Sequence, residues 1–349
     1  MFGTSEPKLH PLETAYRENL PSIVASVSPA RLRKDVASLN YPHNRLHSPA
    51  AMLKAEEFIV SAFHDAGWEI QRHPFFIKHV RGFLDYGDYR ATIYPELAGV
   101  NLVAFKPGEQ SDEALVVEAH YDTVFMSPGA DDNTASVAAL LELARILKPY
   151  KFKNALMLIA CDMEELGFIG ATQLAKGLSV ERQLKGAIVL ETLAYSSREP
   201  CSQSVPPGFG LIYPDQTRRL KRRAFKGNNT VVIYHNIARS LAVSFSESLN
   251  HIAGADASML LRAPGDIPLL GRALRIFLFS LIKQFYRADH YPFLLAKIPA
   301  IQITDTANFR NPHYHRNTDS PDTLDYERLA NIVAALAITI QRMNGYFTI

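Results

Sequence analysis

Cysteine is nearly absent from this sequence. Cys161 and Cys201 are the only two in 349 residues, too few for a disulfide framework and without the paired spacing of a zinc ribbon. Cys161 follows the apolar run ALMLIA and reads as a small buried hydrophobe. An excess of one charge is missing too: 37 basic residues stand against 35 acidic ones, a formal net charge of +2. No overall field therefore draws the chain to nucleic acid or to an acidic membrane. The basic run Arg218 to Arg223 reads as a solvated face. A long uncharged hydrophobic run is also lacking. The most apolar tract, Ile267 to Phe285, contains Arg272, Arg275 and Lys283, whereas a membrane span needs ~20 nearly uncharged residues. An amphipathic helix that is buried or lines a groove is expected there instead. The N-terminus has no basic patch followed by an apolar segment, so a cytoplasmic location is expected.

What is present is an ordinary globular composition, 47% hydrophobic and 21% charged. Ser48 and Pro49 open a helical pattern that stops at Gly67. WEIQRHPFFI, YRATIYP, GVNLVAFKPG and EALVVEAHYD follow as strands, the last a nearly continuous apolar run suited to a sheet covered on both faces. TASVAALLELARILKPY has helical spacing, NALMLIACD is a buried strand, and MEELGFIGATQLAKGL turns into another helix. LKGAIVLETLAY, TVVIY and KIPAIQITDT are further strands. DYERLANIVAALAITIQRM is a long amphipathic helix capped by Asp325 or Thr323. Strands alternating with helices predict a three-layer α/β/α fold around a mixed, largely parallel sheet. The expected organisation is one domain over residues 1–349, with an extension at 1–25 and an inserted cover segment at 196–290, where the pattern loosens.

Acids and histidines recur where the apolar strands stop. His120 and Asp122 end one strand, Asp131 and Asp132 precede a helix, Glu164 and Glu165 follow the next strand, and Glu191 ends another. The carboxyl ends of strands line the ligand crevice of such sheets. So many carboxylates at one rim require a compensating charge. Imidazole and carboxylate ligands without thiolate suit catalytic zinc, and two metals would need a bridging carboxylate. Near the C-terminus His313 and His315 lie two residues apart, on one face if extended.

AHYDTV, PGADDNTAS, MEELGFIGA, LET, DHYPF and YHRNTDSPDTLD occur in an order and spacing that resembles the zinc aminopeptidases and carboxypeptidases grouped with bacterial leucyl aminopeptidase and glutamate carboxypeptidase. The resemblance runs over roughly residues 30 to 345 and implies two zinc ions per chain. It makes His120, Glu165, Glu191 and His315 metal ligands, with Asp131 bridging the metals and the peptide after it cis. Glu191 stands where that family usually has aspartate. Asp122 is implied to orient His120, Glu164 to act as general base and Tyr314 to stabilise the oxyanion. Asp289 and His290 match a block near the pocket, in support or substrate contact. His313 and Asp319 are expected to be structural residues of their loop. The implied activity is metal-assisted hydrolysis of the N-terminal peptide bond of a substrate with a free N-terminus. The alternatives on the same scaffold are a single-zinc glutaminyl cyclase-like acyltransferase and a carboxypeptidase or other amidohydrolase.

Overall fold

The computed structural model describes residues 5–84, 90–267 and 279–348. Its centre is a mixed sheet in the order β1-β2-β4-β3-β5-β8-β6-β7, and β9 pairs with β4 off this path. The strands are β1 (Glu69–Phe83), β2 (Ala91–Lys106), β3 (Gly108–His120), β4 (Tyr150–Cys161), β5 (Leu184–Glu191), β6 (Thr230–Tyr234), β7 (Ser258–Arg262), β8 (Ala300–Thr304) and β9 (Tyr346–Thr348). The middle strands β4, β3, β5 and β8 are mutually parallel, while β2 and β6 join them antiparallel on either side. This is the three-layer α/β architecture that the strand and helix alternation predicts.

Side chains alternate across the sheet, and the alternation sorts β3 into two cores. Leu115, Val117, Ala119 and Tyr121 enter the larger core, with residues of helices Thr14–Ser26, Pro29–Ser38, Pro49–Asp65, Ala135–Ile146, Arg239–Ala253 and Tyr326–Asn344. Ala114 and Val116 face the other way, into a smaller core with helix Ile169–Glu181 and Phe293 of the short helix His290–Leu295. Glu118 and His120 continue that second alternation, so the imidazole emerges on the side of the smaller core. A third core joins Phe209, Leu220, Val231, Ile233, Met259, Leu261 and Phe285 beyond β8.

Several boundaries differ from the expected ones. YRATIYP and GVNLVAFKPG form the single strand β2, which pairs with β1 over nearly its whole length. Ladder hydrogen bonds to a neighbour hold one continuous strand through Pro95, whose missing N–H would otherwise mark an end. Strand β7 lies in the segment that reads as irregular in the sequence. Asp325 is the cap of the last helix, accepting a hydrogen bond from the Arg328 N–H. Residues 268–278 of the expected amphipathic helix lie outside the described residues. Among the described residues no helix is long and apolar enough to cross a membrane.

Candidate metal centre

Four connections at the carboxyl ends of the parallel strands converge on one buried cluster. His120 is the last residue of β3, and its Nε2 lies 3.3 Å from Asp132 Oδ1 and 3.5 Å from Glu191 Oε2. On the other side His315 Nε2 lies 3.0 Å from Asp132 Oδ2 and 3.4 Å from Glu165 Oε1. Two three-residue groups result, His120–Asp132–Glu191 and Asp132–Glu165–His315, and within each the ligand atoms lie within 4.8 Å of one another. Asp132 belongs to both.

Asp131, expected at the bridging position, is not there. Its Oδ1 accepts hydrogen bonds from the backbone N–H of Ala194 and of Tyr195, and its Oδ2 accepts one from Asn311 Nδ2. It ties the turn to the loop after β5 and to the histidine-bearing loop. The cis peptide is likewise one residue later than expected, between Asp132 and Asn133. The turn itself explains the assignment. Gly129 takes φ +63°, and a Cβ there would collide with the Asp132 carbonyl oxygen. The Asp319 carboxylate accepts from the N–H groups of both Asp131 and Asp132. Asn133 completes the clamp, donating to Leu190 O and accepting from the Thr192 N–H. With the backbone so held, the two neighbouring carboxylates point to different targets.

Asp122 lies behind the cluster. Its Oδ1 is 3.5 Å from His120 Nδ1, and its two oxygens accept from the backbone N–H groups of Glu164 and Glu165. The carboxylate thus fixes the turn after β4, which carries both glutamates, while the Asp122 backbone carbonyl oxygen, 3.1 Å away, accepts from His120 Nδ1. Tyr314 stacks on the His315 ring with centroids 3.8 Å apart. His313 is outside the cluster, its Nδ1 3.0 Å from Thr318 Oγ1. His290 faces the Phe285 carbonyl through Nε2, and Asp289 gathers instead with Glu118 and Cys161.

The electrostatics show a site with too much negative charge for its own cations. Burial opposes the His120 imidazolium, yet Glu191, Asp122 and Asp132 outweigh it and raise the pKa well above the ordinary value. Burial opposes the His315 cation too, and Glu165 and Asp132 overcome it. Asp132 is held below the usual carboxylate range because the two imidazoles outweigh its burial. For Glu164, Glu165 and Glu191 burial wins. Glu191 is pushed up to about 7, and Glu164 is raised well above its usual value by burial together with Glu191, Glu165 and Asp289, against the pull of His120.

A divalent cation fits this arrangement. His120 Nε2, both Asp132 oxygens, Glu165 Oε1 and Glu191 Oε2 are buried and have no hydrogen-bond partner, and unpaired buried polar atoms are costly unless something binds them. The donors are nitrogen and oxygen only, as in catalytic zinc sites.

Beside the cluster a pocket opens to solvent, with Glu191 and Tyr314 among its lining residues. Its walls include Phe209, Val231, Ile233, Met259, Leu261 and Phe285, and polar groups such as Gln203 and Arg287 stand around them. Sequence periodicity did not reveal these walls, because they come from short elements separated along the chain. The sequence reading counts Asp132 among the rim acids without giving it a ligand role, and it passes over Glu118. The signal for Glu118 was its place two residues before His120 inside an apolar run, hence on the same face.

The Peptidase family M28 model matches residues 101–235 and 276–340, more than half of the chain. The uncharacterized protein YfbL of Escherichia coli is 29% identical over 336 residues, covering 90% of this chain and 88% of that protein. The zinc aminopeptidase BSAP from Bacillus subtilis has the same fold with a TM-score of 0.65 at 14% identity, over 90% of this chain and 95% of that one. The glutaminyl cyclase of Fimbriiglobus ruber superposes with a TM-score of 0.63 at 18% identity, over 97% and 98%. By the family match the chain belongs to peptidase family M28, hydrolases of peptide bonds, and it has the fold of these solved structures.

Proposed function

We propose that the chain is an aminopeptidase that holds two zinc ions and removes an N-terminal residue, preferably one with a large apolar side chain. The observation that carries this reading is the position of Asp132, whose two oxygens face different imidazoles at 3.3 and 3.0 Å. His120 and Glu191 would hold one ion, Glu165 and His315 the other, and Asp132 both. When bound, zinc supplies positive charge that acidifies water and polarises the scissile carbonyl.

The remaining chemistry belongs to side chains of this protein. Glu164 is fixed by its backbone N–H on Asp122, and its raised pKa suits a group that takes a proton from the attacking water and gives it to the departing amine. The Tyr314 hydroxyl donates a hydrogen bond to the oxyanion of the tetrahedral intermediate. The apolar walls of the pocket receive the side chain of the residue to be released, and described residues between 203 and 287 supply most of those walls.

Metal analysis of the purified protein, combined with a panel of free-amine and N-blocked peptides, tests the proposal. Two zinc ions per chain and cleavage of leucyl or phenylalanyl free-amine substrates alone are expected. Turnover of blocked peptides would replace the aminopeptidase with a carboxypeptidase or amidohydrolase. The fold shared with a glutaminyl cyclase supports a second reading, and one zinc with cyclisation of N-terminal glutamine would establish it.

A further inference from the structure

Beneath the rim, on the same face of β3 as His120, lies a second group of metal-binding side chains that the proposed reaction does not use. Glu118 on β3, Cys161 at the end of β4 and Asp289 before helix His290–Leu295 bring their ligand atoms within 4.8 Å of one another. Both rim groups meet the same limit. Glu118 and Cys161 are fully buried and Asp289 is 1% exposed. All four carboxylate oxygens of Glu118 and Asp289 are buried with no hydrogen-bond partner. Among the described residues no arginine or lysine is one of the main charges that act on either acid. Around them stand the apolar side chains of the smaller core, including Val116, Ile159 and Phe293.

Two adjacent buried carboxylates repel one another, and the cation that bears on both, the His120 imidazolium, already faces Asp132 and Glu191. We propose that Glu118, Cys161 and Asp289 form a further metal site, separate from the rim, for a divalent cation of the zinc class. The donor set selects the ion. Two carboxylate oxygens alone would suit magnesium or calcium, but a sulfur donor disfavours those hard cations and favours zinc or cobalt. The protein bonds of such an ion, ~2.0–2.3 Å to oxygen and sulfur, place its ligands somewhat closer together than the 4.8 Å limit. Side-chain movement closes the difference without moving the strands. Two of the donors sit on strands that are paired directly beside each other, Glu118 with Ile159 and His120 with Cys161, so the backbone that holds them is already fixed. Binding releases the thiol proton to solvent, because a coordinating thiol is deprotonated.

The rim contains no sulfur, so a thiolate signature reports on the inner site alone and succeeds or fails independently of the aminopeptidase reading. The other cysteine, Cys201, is exposed and is removed first by Cys201→Ser. The test is to produce this variant in cobalt-supplemented minimal medium, so that a buried ion enters during folding, and to record its near-ultraviolet spectrum and cobalt content. A thiolate-to-cobalt charge-transfer band is expected. Adding Cys161→Ser should abolish the band and lower the cobalt content by one equivalent, while adding Asp132→Asn should leave the band in place although it weakens metal binding at the rim. Adding Asp289→Asn gives a second measurement of the inner site should the Cys161 variant fail to fold, and it too should remove the band. Absence of the band from the Cys201→Ser protein would overturn the site and leave a proton shared between Glu118 and Asp289 as the occupant. A band that persists after Cys161→Ser would overturn it as well.

Discussion

Asp131 and Asp132 are chemically identical neighbours, both buried, and they stand for two different regions of the molecule. The region behind the rim is a polar network in which the protein supplies most of the partners. Asp131 accepts from Ala194, Tyr195 and Asn311, and Asp319 accepts from the turn itself. The rim is the opposite: Asp132, Glu165 and Glu191 carry oxygens without a hydrogen-bond partner, directed at a common space with the imidazoles. Burial is the same in both regions and cannot tell a ligand from a structural acid. What separates them is whether the protein itself has satisfied the carboxylate. An acid that already accepts three hydrogen bonds has few lone pairs left for a cation, whereas an unsatisfied one is stable only when a cation arrives.

The largest effect should come from exchanging the two roles. Asp132→Ala removes the one ligand common to both groups, so metal content should fall and activity should drop by about 10⁴-fold or more, to the level of background hydrolysis. Asp131→Ala should act on stability instead, because three donors lose their acceptor at ~1–3 kcal/mol each, while metal binds in the fraction that remains folded. A destabilised Asp132→Ala with full metal, alongside a stable Asp131→Ala without it, would reverse the comparison.

A smaller change, about 10³-fold in kcat, is expected for Glu164→Gln, which cannot accept a proton but leaves every proposed ligand in place. Metal content near that of the parent protein and unchanged thermal stability should accompany the loss. Retention of the parent rate would remove Glu164 from the role of base. Tyr314→Phe keeps the ring that stacks on His315 and deletes only the hydroxyl, so kcat should fall by about 10²-fold with KM little altered. A rise in KM at constant kcat would instead make Tyr314 a substrate-binding group.

The smallest effect is on pH dependence and lies far from the rim. Burial lowers the Lys106 pKa to about 8, although its ammonium donates to the Leu147 and Lys148 carbonyls beyond helix Ala135–Ile146. The unfolded chain, with the ordinary lysine value of about 10.4, therefore binds more protons than the folded one between those two values. The penalty is complete below about pH 8 and is relieved as pH rises through this window, so folding stability should increase there relative to Lys106→Met. Denaturant titrations of both proteins between pH 8 and 10 provide the check, and parallel curves would mean that the carbonyls fully offset burial.

Much of the rim was legible along the chain for one reason: an apolar strand pattern that stops at His120, Glu164 or Glu191 marks the carboxyl end of a buried strand, where side chains face the crevice. The structure brings those residues together with His315. The choice between Asp131 and Asp132 was not legible in the same way. Outside regular structure no period fixes side-chain direction, and here it depends on the left-handed Gly129, the clamp from Asp319 and the contacts of Asn133, partners as far as 188 residues away in sequence. Strand β7 was hidden for a similar reason, since a five-residue strand takes its identity from the neighbour it pairs with, β6.

By itself the sequence determined the α/β alternation, the apolar faces and the supply of imidazole and carboxylate groups, because all of these depend on local propensity and on periods of two or 3.6 residues. Only the tertiary structure decided which carboxylates receive hydrogen bonds from distant backbone and which are left facing one another. That decision requires chain segments far apart in sequence to meet, and their meeting makes Asp131 part of the framework and Asp132 the shared member of the rim.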